Sequence, residues 1–437
     1  MKSIARFLLY GFVLAMMLAG VSGSGQTSAS SVFVEPDVEV LHTFVGENVG
    51  DVFGWVANDL GDINGDGAHD VIIPAPYYSQ GGLNRGKAYV YSGASGELLN
   101  SETGNAGERF GYSASSAGDV NADGVPDYVV GGPGNDTVPG RVVVYSGKNH
   151  APILELNGQA GELFGANATG AGDVNDDGYG DVFVGAPWAS YTGFRAGRVM
   201  VFSGKNGALI WSRDGKEAGD YLGSGVGMVG LLDDDAAPDL VAGAFRAGLA
   251  DGGAAYVYSG SNGKTLFTLT PFAPGTADTF SRFFASGAGD VNDDGTPDIY
   301  VGDYNDKRGG GLGTGRAYIF SGLDGSRLYT FNAEDKGEGF GPGRGAGDVD
   351  GDGYGDVIVG AYTNSDGAVY GGKAYLYSGR DGSLMRTMTD QLPSDYAGVD
   401  ALAVGDVNGD GLVDYLITGV NFDYTGFDHS YLIAGTE

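Results

Sequence analysis

The sequence predicts an all-β protein, a seven-bladed β-propeller with four antiparallel strands in each blade. Three observations predict this fold: an acidic loop that recurs seven times, four short strand-like segments in each repeat, and an N-terminal segment that matches the last strand of a repeat. The loop begins at residues 62, 119, 173, 231, 290, 348 and 406, which gives repeats of 54 to 59 residues. Repeats of this length with four strands each are typical of propeller blades.

The N-terminus has the features of a secretory signal peptide. Lys2 and Arg6 precede an apolar run from Phe7 to Ala19, and Val21-Ser22-Gly23 is the expected cleavage site. An uncleaved anchor helix is the alternative, but this run is shorter than the ~20 residues that a membrane span needs. We therefore expect residues 1–23 to be a signal peptide, residues 24–35 a flexible linker and residues 36–437 the propeller.

Each repeat carries the same elements in the same order, illustrated here by the third repeat. An aromatic–glycine pair, Phe164-Gly165, precedes the acidic loop, and an apolar strand with small residues at its end follows the loop at 182–186. A variable loop leads to a third strand that ends in Phe202-Ser203-Gly204. The turn Lys205-Asn206-Gly207 then reverses the chain into a fourth strand at 209–211. These elements predict a four-stranded antiparallel sheet.

The two ends of the sequence predict how the ring closes. The seventh repeat stops after its third strand, at 431–435, and the segment 38–44 resembles the fourth strands of other repeats, such as 327–331. We expect the N-terminal strand to complete the seventh blade, which leaves no unpaired strand edge at the seam.

The acidic loop has the pattern of a calcium-binding loop. In the stretch Asp173 to Asp181, oxygen-bearing side chains stand at positions 1, 3, 5 and 9, and glycine stands at position 6. Calcium takes six to eight oxygen ligands from carboxylates, amides and backbone carbonyls, and a glycine permits the tight turn that brings them together. The glutamate of an EF-hand at position 12 is replaced by Val184, where a strand begins. The loop is therefore expected to join two strands.

Six of the seven loops are complete, which predicts about six structural Ca²⁺ sites. The side-chain ligands are Asp62, Asn64, Asp66 and Asp70; Asp119, Asn121, Asp123 and Asp127; Asp173, Asn175, Asp177 and Asp181; Asp290, Asn292, Asp294 and Asp298; Asp348, Asp350, Asp352 and Asp356; and Asp406, Asn408, Asp410 and Asp414. The backbone carbonyl ligands at position 7 are those of Ala68, Val125, Tyr179, Thr296, Tyr354 and Leu412.

The fourth loop is degenerate and is not expected to bind a cation. Leu231 replaces the carboxylate at position 1, and Ala236 replaces the glycine at position 6. In loops without a cation, the sequence further predicts that neighbouring carboxylates repel one another and that this repulsion raises their pKa values.

Composition and charge agree with an exported protein. The chain has 83 glycines, no cysteine and a net charge of −32. The charge argues against nucleic acid or an anionic membrane as a partner, and the missing cysteines leave bound ions as the expected source of stability outside the cell. We expect a monomer without a membrane span in its mature form, secreted to the extracellular space, the cell surface or the periplasm.

The variable loops predict a ligand face at the end of the propeller opposite the acidic loops. They connect the second and third strands, and variation on a rigid scaffold is where binding usually occurs. Aromatic and arginine side chains, which binding hot spots favour, are concentrated there. The candidates are Tyr77, Tyr78, Arg85, Trp188, Tyr191, Phe194, Arg195, Phe245, Arg246, Tyr304, Arg308, Tyr370, Tyr424 and Phe427. The alternative is that the aromatic side chains fill the central channel and pack beneath the loops.

The repeats resemble the FG-GAP repeats of the integrin α-subunit propeller. The resemblance rests on Phe-Gly pairs such as Phe53-Gly54 and Phe110-Gly111, on the acidic loops and on endings such as Gly185-Ala186-Pro187, and it covers the chain after residue 35. It implies a seven-bladed propeller with calcium at one end of the blades and ligand contacts at the other.

The sequence therefore favours an extracellular binding or adhesion-type module whose ligand is a protein or a glycan. The alternative is an extracellular calcium-assisted polysaccharide lyase or hydrolase, and a surface-layer or matrix component is a third interpretation. No catalytic residue is predicted, because the histidines at 42, 69, 150 and 429 are scattered over different repeats. A buried carboxylate or tyrosine paired with Lys or Arg in one cleft would favour the enzyme, and an open aromatic face would favour binding.

Overall fold

A computed structural model describes residues 31–248, 251–271, 279–306 and 314–436. These residues form 28 strands in seven four-stranded antiparallel sheets, and they include no α-helix. The seven-bladed propeller is therefore confirmed. The predicted signal peptide and residues 24–30 of the predicted linker lie outside the described residues.

The strands occupy four positions in each blade. The innermost strands are β2 (Asn58–Gly61), β6 (Ser113–Gly118), β10 (Asn167–Gly172), β14 (Leu222–Gly230), β18 (Ala285–Gly289), β22 (Phe340–Gly347) and β26 (Asp400–Ala403). The second strands are β3 (Asp70–Ala75), β7 (Asp127–Gly132), β11 (Asp181–Ala186), β15 (Asp239–Ala244), β19 (Asp298–Asp303), β23 (Asp356–Ala361) and β27 (Tyr415–Gly419).

The third strands are β4 (Lys87–Tyr91), β8 (Pro139–Tyr145), β12 (Arg198–Phe202), β16 (Ala254–Tyr258), β20 (Arg316–Phe320), β24 (Lys373–Tyr377) and β28 (His429–Ile433). The outermost strands are β5 (Leu98–Thr103), β9 (Pro152–Ala160), β13 (Leu209–Asp214), β17 (Thr265–Leu269), β21 (Arg327–Asn332), β25 (Leu384–Thr389) and, in the seventh blade, β1 (Val40–Val45).

The second strands form the centre of each blade. Every residue of β3, β7, β11, β15, β19, β23 and β27 is buried. Their Val and Ile residues pack against sheets on both sides, which is why these segments read as continuous apolar runs rather than alternating ones.

The aromatic–glycine pairs join neighbouring blades. Phe110 is buried, packs edge-on against Tyr145 and forms a parallel bridge with Gly86 at the start of the previous blade's third strand. A Cβ added to Gly86 would lie 2.1 Å from the carbonyl oxygen of Phe110, and Gly86 has a φ of 75°. Only glycine therefore permits this approach between blades.

The ring closes as the sequence predicts. Strand β1 pairs antiparallel with β28, with Thr43 opposite Tyr431 and Phe44 opposite Ser430. The N-terminal strand thus supplies the outermost strand of the seventh blade and covers the edge that β28 would otherwise expose.

The packed part of the chain begins at Val32, four residues before the start that the sequence predicts. Phe33 is completely buried and lies edge-on to Tyr431, with ring centroids 5.3 Å apart. Glu35 accepts hydrogen bonds from the hydroxyls of Thr387 and Thr389, both at 2.7 Å. These contacts attach the segment to the sixth and seventh blades.

Replacement of this anchor tests whether residues 32–35 act as a linker. We expect Phe33→Ala to lower the free energy of unfolding by about 3–5 kcal/mol, because it leaves a cavity beside Tyr431. Val34→Ala is the matched control, since Val34 is 52% exposed. Denaturant unfolding of both variants measures the difference, and equal stability of the two would show that the segment is a flexible linker.

No helix long and apolar enough to cross a membrane is found among the described residues.

Candidate functional site

The acidic loops connect the first and second strands at one end of the propeller. In the third blade, Asp173 at position 1 accepts hydrogen bonds from the backbone N–H of Asp177 at 3.0 Å and of Gly178 at 2.7 Å. Gly178 has a φ of 84°, a conformation that side chains other than glycine rarely adopt. The carboxylate at position 1 and the glycine at position 6 therefore set the turn that gathers the loop's oxygens.

The aspartate at position 9 joins each loop to the turn between the third and fourth strands. Asp181 is buried and accepts hydrogen bonds from the backbone N–H of Val174 at 2.9 Å and of Gly204 at 3.0 Å. Asp239 makes the same two bonds in the degenerate fourth loop, from Leu232 at 2.7 Å and Gly260 at 3.0 Å. The equivalent aspartates of all seven blades are buried and bonded in this way: Asp70, Asp127, Asp298, Asp356 and Asp414 complete the set.

Burial is the main cause of the pKa shifts in these loops. It raises the pKa to about 6 for Asp70, Asp127, Asp181, Asp239 and Asp298, and repulsion from neighbouring carboxylates contributes less. The pKa of Asp66 is lowered, since hydrogen bonds from Ala68, Asn64 and Ser92 outweigh its slight burial. Repulsion thus raises the pKa at position 9 as the sequence predicts, but burial beneath the loop contributes more. At position 5 of the first loop, hydrogen bonds lower the pKa instead.

Two of the complete loops show a donor set that fits a calcium ion. In the second blade, the side-chain oxygen of Asn121 at position 3 is buried and accepts no hydrogen bond within the described chain. In the sixth blade, one oxygen from each of Asp348, Asp350 and Asp356 lies within 4.8 Å of the others. Carboxylate and amide oxygens brought together in this way are the ligands that calcium takes.

The degenerate loop also gathers three carboxylates, those of Asp233, Asp235 and Asp239, within 4.8 Å. However, Asp235 accepts a hydrogen bond from the hydroxyl of Ser261 at 2.6 Å, and this bond is the main reason that its pKa is lowered. A protein donor therefore stabilises the charge of this carboxylate without a cation.

The variable loops lie at the opposite end, and they expose part of the predicted ligand face. Side chains that are 45–71% exposed are those of Tyr191, Phe194, Tyr370, Tyr424 and Phe427. Tyr78 is not among them, because it is only 6% exposed; its hydroxyl bonds to Gln80, and the ammonium of Lys87 lies 5.1 Å from its ring. Tyr78 packs beneath its loop, as the alternative interpretation predicts. Arg308 lies outside the described residues.

A cavity of about 670 Å³ opens at this end of the propeller, and we call it the off-centre cleft. Three predicted residues, Tyr77, Trp188 and Phe245, line it. Among the lining residues that sequence reasoning missed, five carry an aromatic ring or a guanidinium: Arg109, Tyr112, Tyr221, Arg282 and Phe283.

The missed residues lie on the crossings from one blade to the next rather than on the variable loops. Arg109 and Tyr221 directly precede the pairs Phe110-Gly111 and Leu222-Gly223, with φ values of 56° and 58°. This left-handed backbone turns both side chains out of the packed seam between blades. The positions that flank each aromatic–glycine pair are the sequence signal that could have identified them.

The arginines of this face are held by rings and carbonyls. The guanidinium of Arg195 lies 3.7 Å from the ring centroid of Trp188, and Arg85 donates to the carbonyl of Gly104 at 2.7 Å. Arg246 lies 5.6 Å from the ring of Phe245.

The basic residues at the start of the third strands differ from the arginines of the ligand face, because each of them pairs with a carboxylate. The pairs are Lys87 with Glu47, Arg141 with Glu108, Arg198 with Asp214, Arg316 with Asp306 and Lys373 with Glu334. These residues are structural.

A second cavity, of about 320 Å³, is ringed by aromatic side chains that include Trp55, Phe284, Tyr304 and Phe422. Tyr304 thus faces the middle of the ring rather than the rim. Burial raises the pKa of Tyr304 to about 12 and that of Tyr112, in the off-centre cleft, to about 12. Both hydroxyls are therefore protonated hydrogen-bond donors at neutral pH.

The central channel contains an ion pair of a buried carboxylate and an arginine. The Nη2 atom of Arg344 lies 2.6 Å from Oδ2 of Asp400, and the backbone N–H of Ala57 donates to the same oxygen at 3.1 Å. Arg344 also donates to Oδ1 at 2.7 Å. Because both carboxylate oxygens are engaged, this pair joins the innermost strands of three blades rather than providing a free proton acceptor.

Comparison with known families and relatives agrees with the fold. An FG-GAP repeat family matches residues 54–91 and 165–202, and an FG-GAP-like repeat family matches residues 348–417. Integrin alpha-PS5 of Drosophila melanogaster is 34% identical over 174 residues, which are 35% of this chain and 16% of that protein. Integrin alpha-6 of Homo sapiens is 34% identical over 168 residues, or 36% of this chain and 14% of that protein. The chain thus spans less than a fifth of these relatives.

Similarity to solved structures, at about 10% identity or less, supports the fold and nothing further. The yeast protein Sqt1 from Saccharomyces cerevisiae has a TM-score of 0.52 at 9% identity, with 92% of this chain and 100% of that chain covered. The quinohemoprotein alcohol dehydrogenase ADHIIG from Pseudomonas putida HK5 has a TM-score of 0.51 at 10% identity, with 84% of this chain and 66% of that chain covered.

Proposed function

Because the chain carries FG-GAP repeats on an integrin alpha-like propeller, we propose that it is a secreted, calcium-stabilised binding module of the adhesion type. Its ligand is an extracellular protein or glycan, which it contacts through the end that carries the variable loops. The observation that carries this proposal is the set of exposed aromatic side chains and arginines at that end of a rigid ring.

The ligand face supports recognition for a physical reason. Phe194 and Tyr424 lie on different blades and expose 71% and 60% of their surface. Burial of such aromatic rings by a ligand is favourable and stabilises the complex. The blades hold these loops in place by the hydrogen bonds of four-stranded sheets. A ligand therefore meets a preformed surface and loses little free energy to loop ordering.

The acidic loops support a structural role for calcium at the opposite end. Six loops offer carboxylate and amide oxygens, and the cation would hold the hairpin between the first and second strands. No chemistry on the ligand is assigned to this cation, because the variable loops lie at the other end of the blades.

Export is proposed from the N-terminal sequence. Residues 1–23 combine two basic residues, an apolar segment and small residues at the cleavage site, and the chain has no cysteine that would need protection or pairing outside the cell.

Paired surface variants test the binding face. We expect the wild-type chain to bind components of a glycan array or of an extracellular-matrix protein panel, and Phe194→Ser with Tyr424→Ser to weaken that binding by at least about tenfold. The matched control is Leu98→Ser with Leu384→Ser, because both leucines are exposed at the start of outermost strands, next to the turns at the opposite end. Equal binding by the two double variants, or none by the wild type, would contradict the proposal.

A further inference from the structure

We propose that the off-centre cleft binds a carboxylate-bearing glycan, with the guanidinium groups of Arg109 and Arg282 as the carboxylate's partners. This inference rests on the proposed function and names the class of ligand for one part of the ligand face.

The cleft concentrates positive charge for which the described residues provide no carboxylate partner. Arg282 lies 5.0 Å from the ring of Phe245 and 5.1 Å from that of Phe283, and Arg109 lies 5.5 Å from the ring of Tyr112. Arg109 also donates from Nε to the carbonyl of Gly134 at 3.1 Å. Neither arginine forms an ion pair with any carboxylate in the described part of the chain.

These two arginines contrast with the basic residues that open the third strands. The net charge is −32, and the basic residues that open the third strands are neutralised by carboxylates. Among the residues that line the cleft, Asp136 is the one carboxylate, and it is exposed. Two half-buried guanidiniums thus face a concave site where a bound carboxylate would form charge-assisted hydrogen bonds, which are about twice as strong as neutral ones.

A buried hydroxyl also lacks a partner in the cleft. Ser224 is 5% exposed and lines the cavity, and its Oγ has no hydrogen-bond partner among the described residues. Buried polar groups are nearly always satisfied in folded proteins, so an orphaned one needs an explanation. A ligand hydroxyl in the cleft would satisfy Ser224, and the protonated hydroxyl of Tyr112 supplies a second donor.

The walls and size of the cleft favour a sugar over an acidic peptide as the carrier of the carboxylate. Tyr221 and Phe245 lie with their ring centroids 5.0 Å apart and a tilt of 36°, beside Trp188. These rings offer apolar faces to the C–H faces of a sugar, while the hydroxyls of Ser224 and Tyr112 offer partners for its hydroxyls. A volume of about 670 Å³ falls within the range of pockets that enclose small ligands, and a flat protein interface needs no such depth.

Acidic oligosaccharides with neutral counterparts test the inference. The probes are short oligomers of galacturonate, glucuronate and mannuronate and a sialylated oligosaccharide, each beside the neutral compound made by reduction of its carboxyl groups. Titration calorimetry with the full mature chain in excess calcium is expected to detect binding of at least one charged probe. Its neutral counterpart should bind at least about tenfold more weakly, as expected for the loss of a charged hydrogen bond.

Variants locate the binding in the cleft. Arg282→Gln and Arg109→Gln should each weaken binding of the charged probe by at least about tenfold, and Ser224→Ala by a smaller factor for charged and neutral probes alike. The control is Lys264→Gln, which removes one positive charge from an exposed turn at the opposite end of the fourth blade. A melting curve confirms that each variant folds, and Arg109→Gln is sufficient should Arg282→Gln fail to fold.

Three outcomes would overturn the inference: no charged probe binds, charged and neutral probes bind equally, or the arginine variants behave like Lys264→Gln. Competition by a poly-glutamate peptide at equal affinity would also overturn it, in favour of an acidic peptide ligand. Each result is separable from the proposed function, because the test with Phe194 and Tyr424 uses other residues and a broader set of ligands that includes proteins. If that test succeeds while these probes fail, the binding face stands and the acidic glycan does not.

Discussion

Excess calcium is expected to raise the melting temperature of this protein well above the value in excess chelator at constant ionic strength. A ligand that binds only the folded state stabilises it by about 2.7 kcal/mol per site at a hundredfold excess over Kd. With about six sites, the total rivals the ~5–15 kcal/mol of stability that a whole domain usually has. Without the cation, each loop keeps three or four carboxylates close together, and their repulsion opposes folding.

Single loops give the control for this experiment. Asp177→Ala removes one ligand from one complete loop, so it should remove about one site's share of the calcium-dependent stabilisation and leave the rest. Asp233→Ala in the degenerate loop should leave the calcium-dependent part unchanged, since that loop lacks position 1. Coincident melting curves in calcium and chelator, or a titration that gives seven equivalent sites, would contradict the calcium assignment.

Asp239→Ala is expected to destabilise the protein by about 3 kcal/mol or more, equally in calcium and in chelator. Asp239 is completely buried, and its removal leaves the backbone N–H groups of Leu232 and Gly260 without partners. Each buried donor left unsatisfied costs about 1–3 kcal/mol. The loop of the fourth blade is not expected to bind calcium, so this loss of stability measures the contribution of the hydrogen bonds of position 9 alone. Denaturant unfolding with and without chelator measures it.

The equivalent substitution in a complete loop separates the two roles of position 9. In chelator, Asp181→Ala should lower the free energy of unfolding by as much as Asp239→Ala, because the equivalent two hydrogen bonds are lost. In calcium, it should lower that free energy further, because a calcium ligand is lost as well. Asp234→Ala, beside position 5 of the degenerate loop, is the control, because its exposed side chain should contribute little. If Asp239→Ala and Asp234→Ala were equally stable, position 9 would not be the structural link between loop and turn.

The sequence by itself determined the architecture and the placement of acidic and variable loops at opposite ends of the propeller. The repeat length, the strand and turn pattern and the seam at residues 38–44 all depend on local chemistry that recurs blade after blade, so that each repeat predicts the next. The pairing of β1 with β28 followed from the same periodicity. The separation of acidic and variable loops to opposite ends followed from the alternation of strand direction.

Only the tertiary structure decided which side chains meet at the ligand face. Tyr78 and Phe194 read alike in the sequence, yet one packs beneath its loop and the other is exposed. Arg109 and Arg282 are 173 positions apart and on crossings that carry no variable loop, so no local pattern brings them together.

The same distinction explains the acidic loops and the N-terminal anchor. The spacing of carboxylates predicts a set of ligands but not the burial that raises the pKa of position 9, because that burial comes from the turn packed above each loop. Phe33 lies in a polar, small-residue stretch that reads as a linker, and its pocket beside Tyr431 is made almost 400 residues later. Local hydrogen bonding and periodicity depend on residues within one repeat. Burial and the convergence of charges depend on residues from several blades, which come together only when the ring closes.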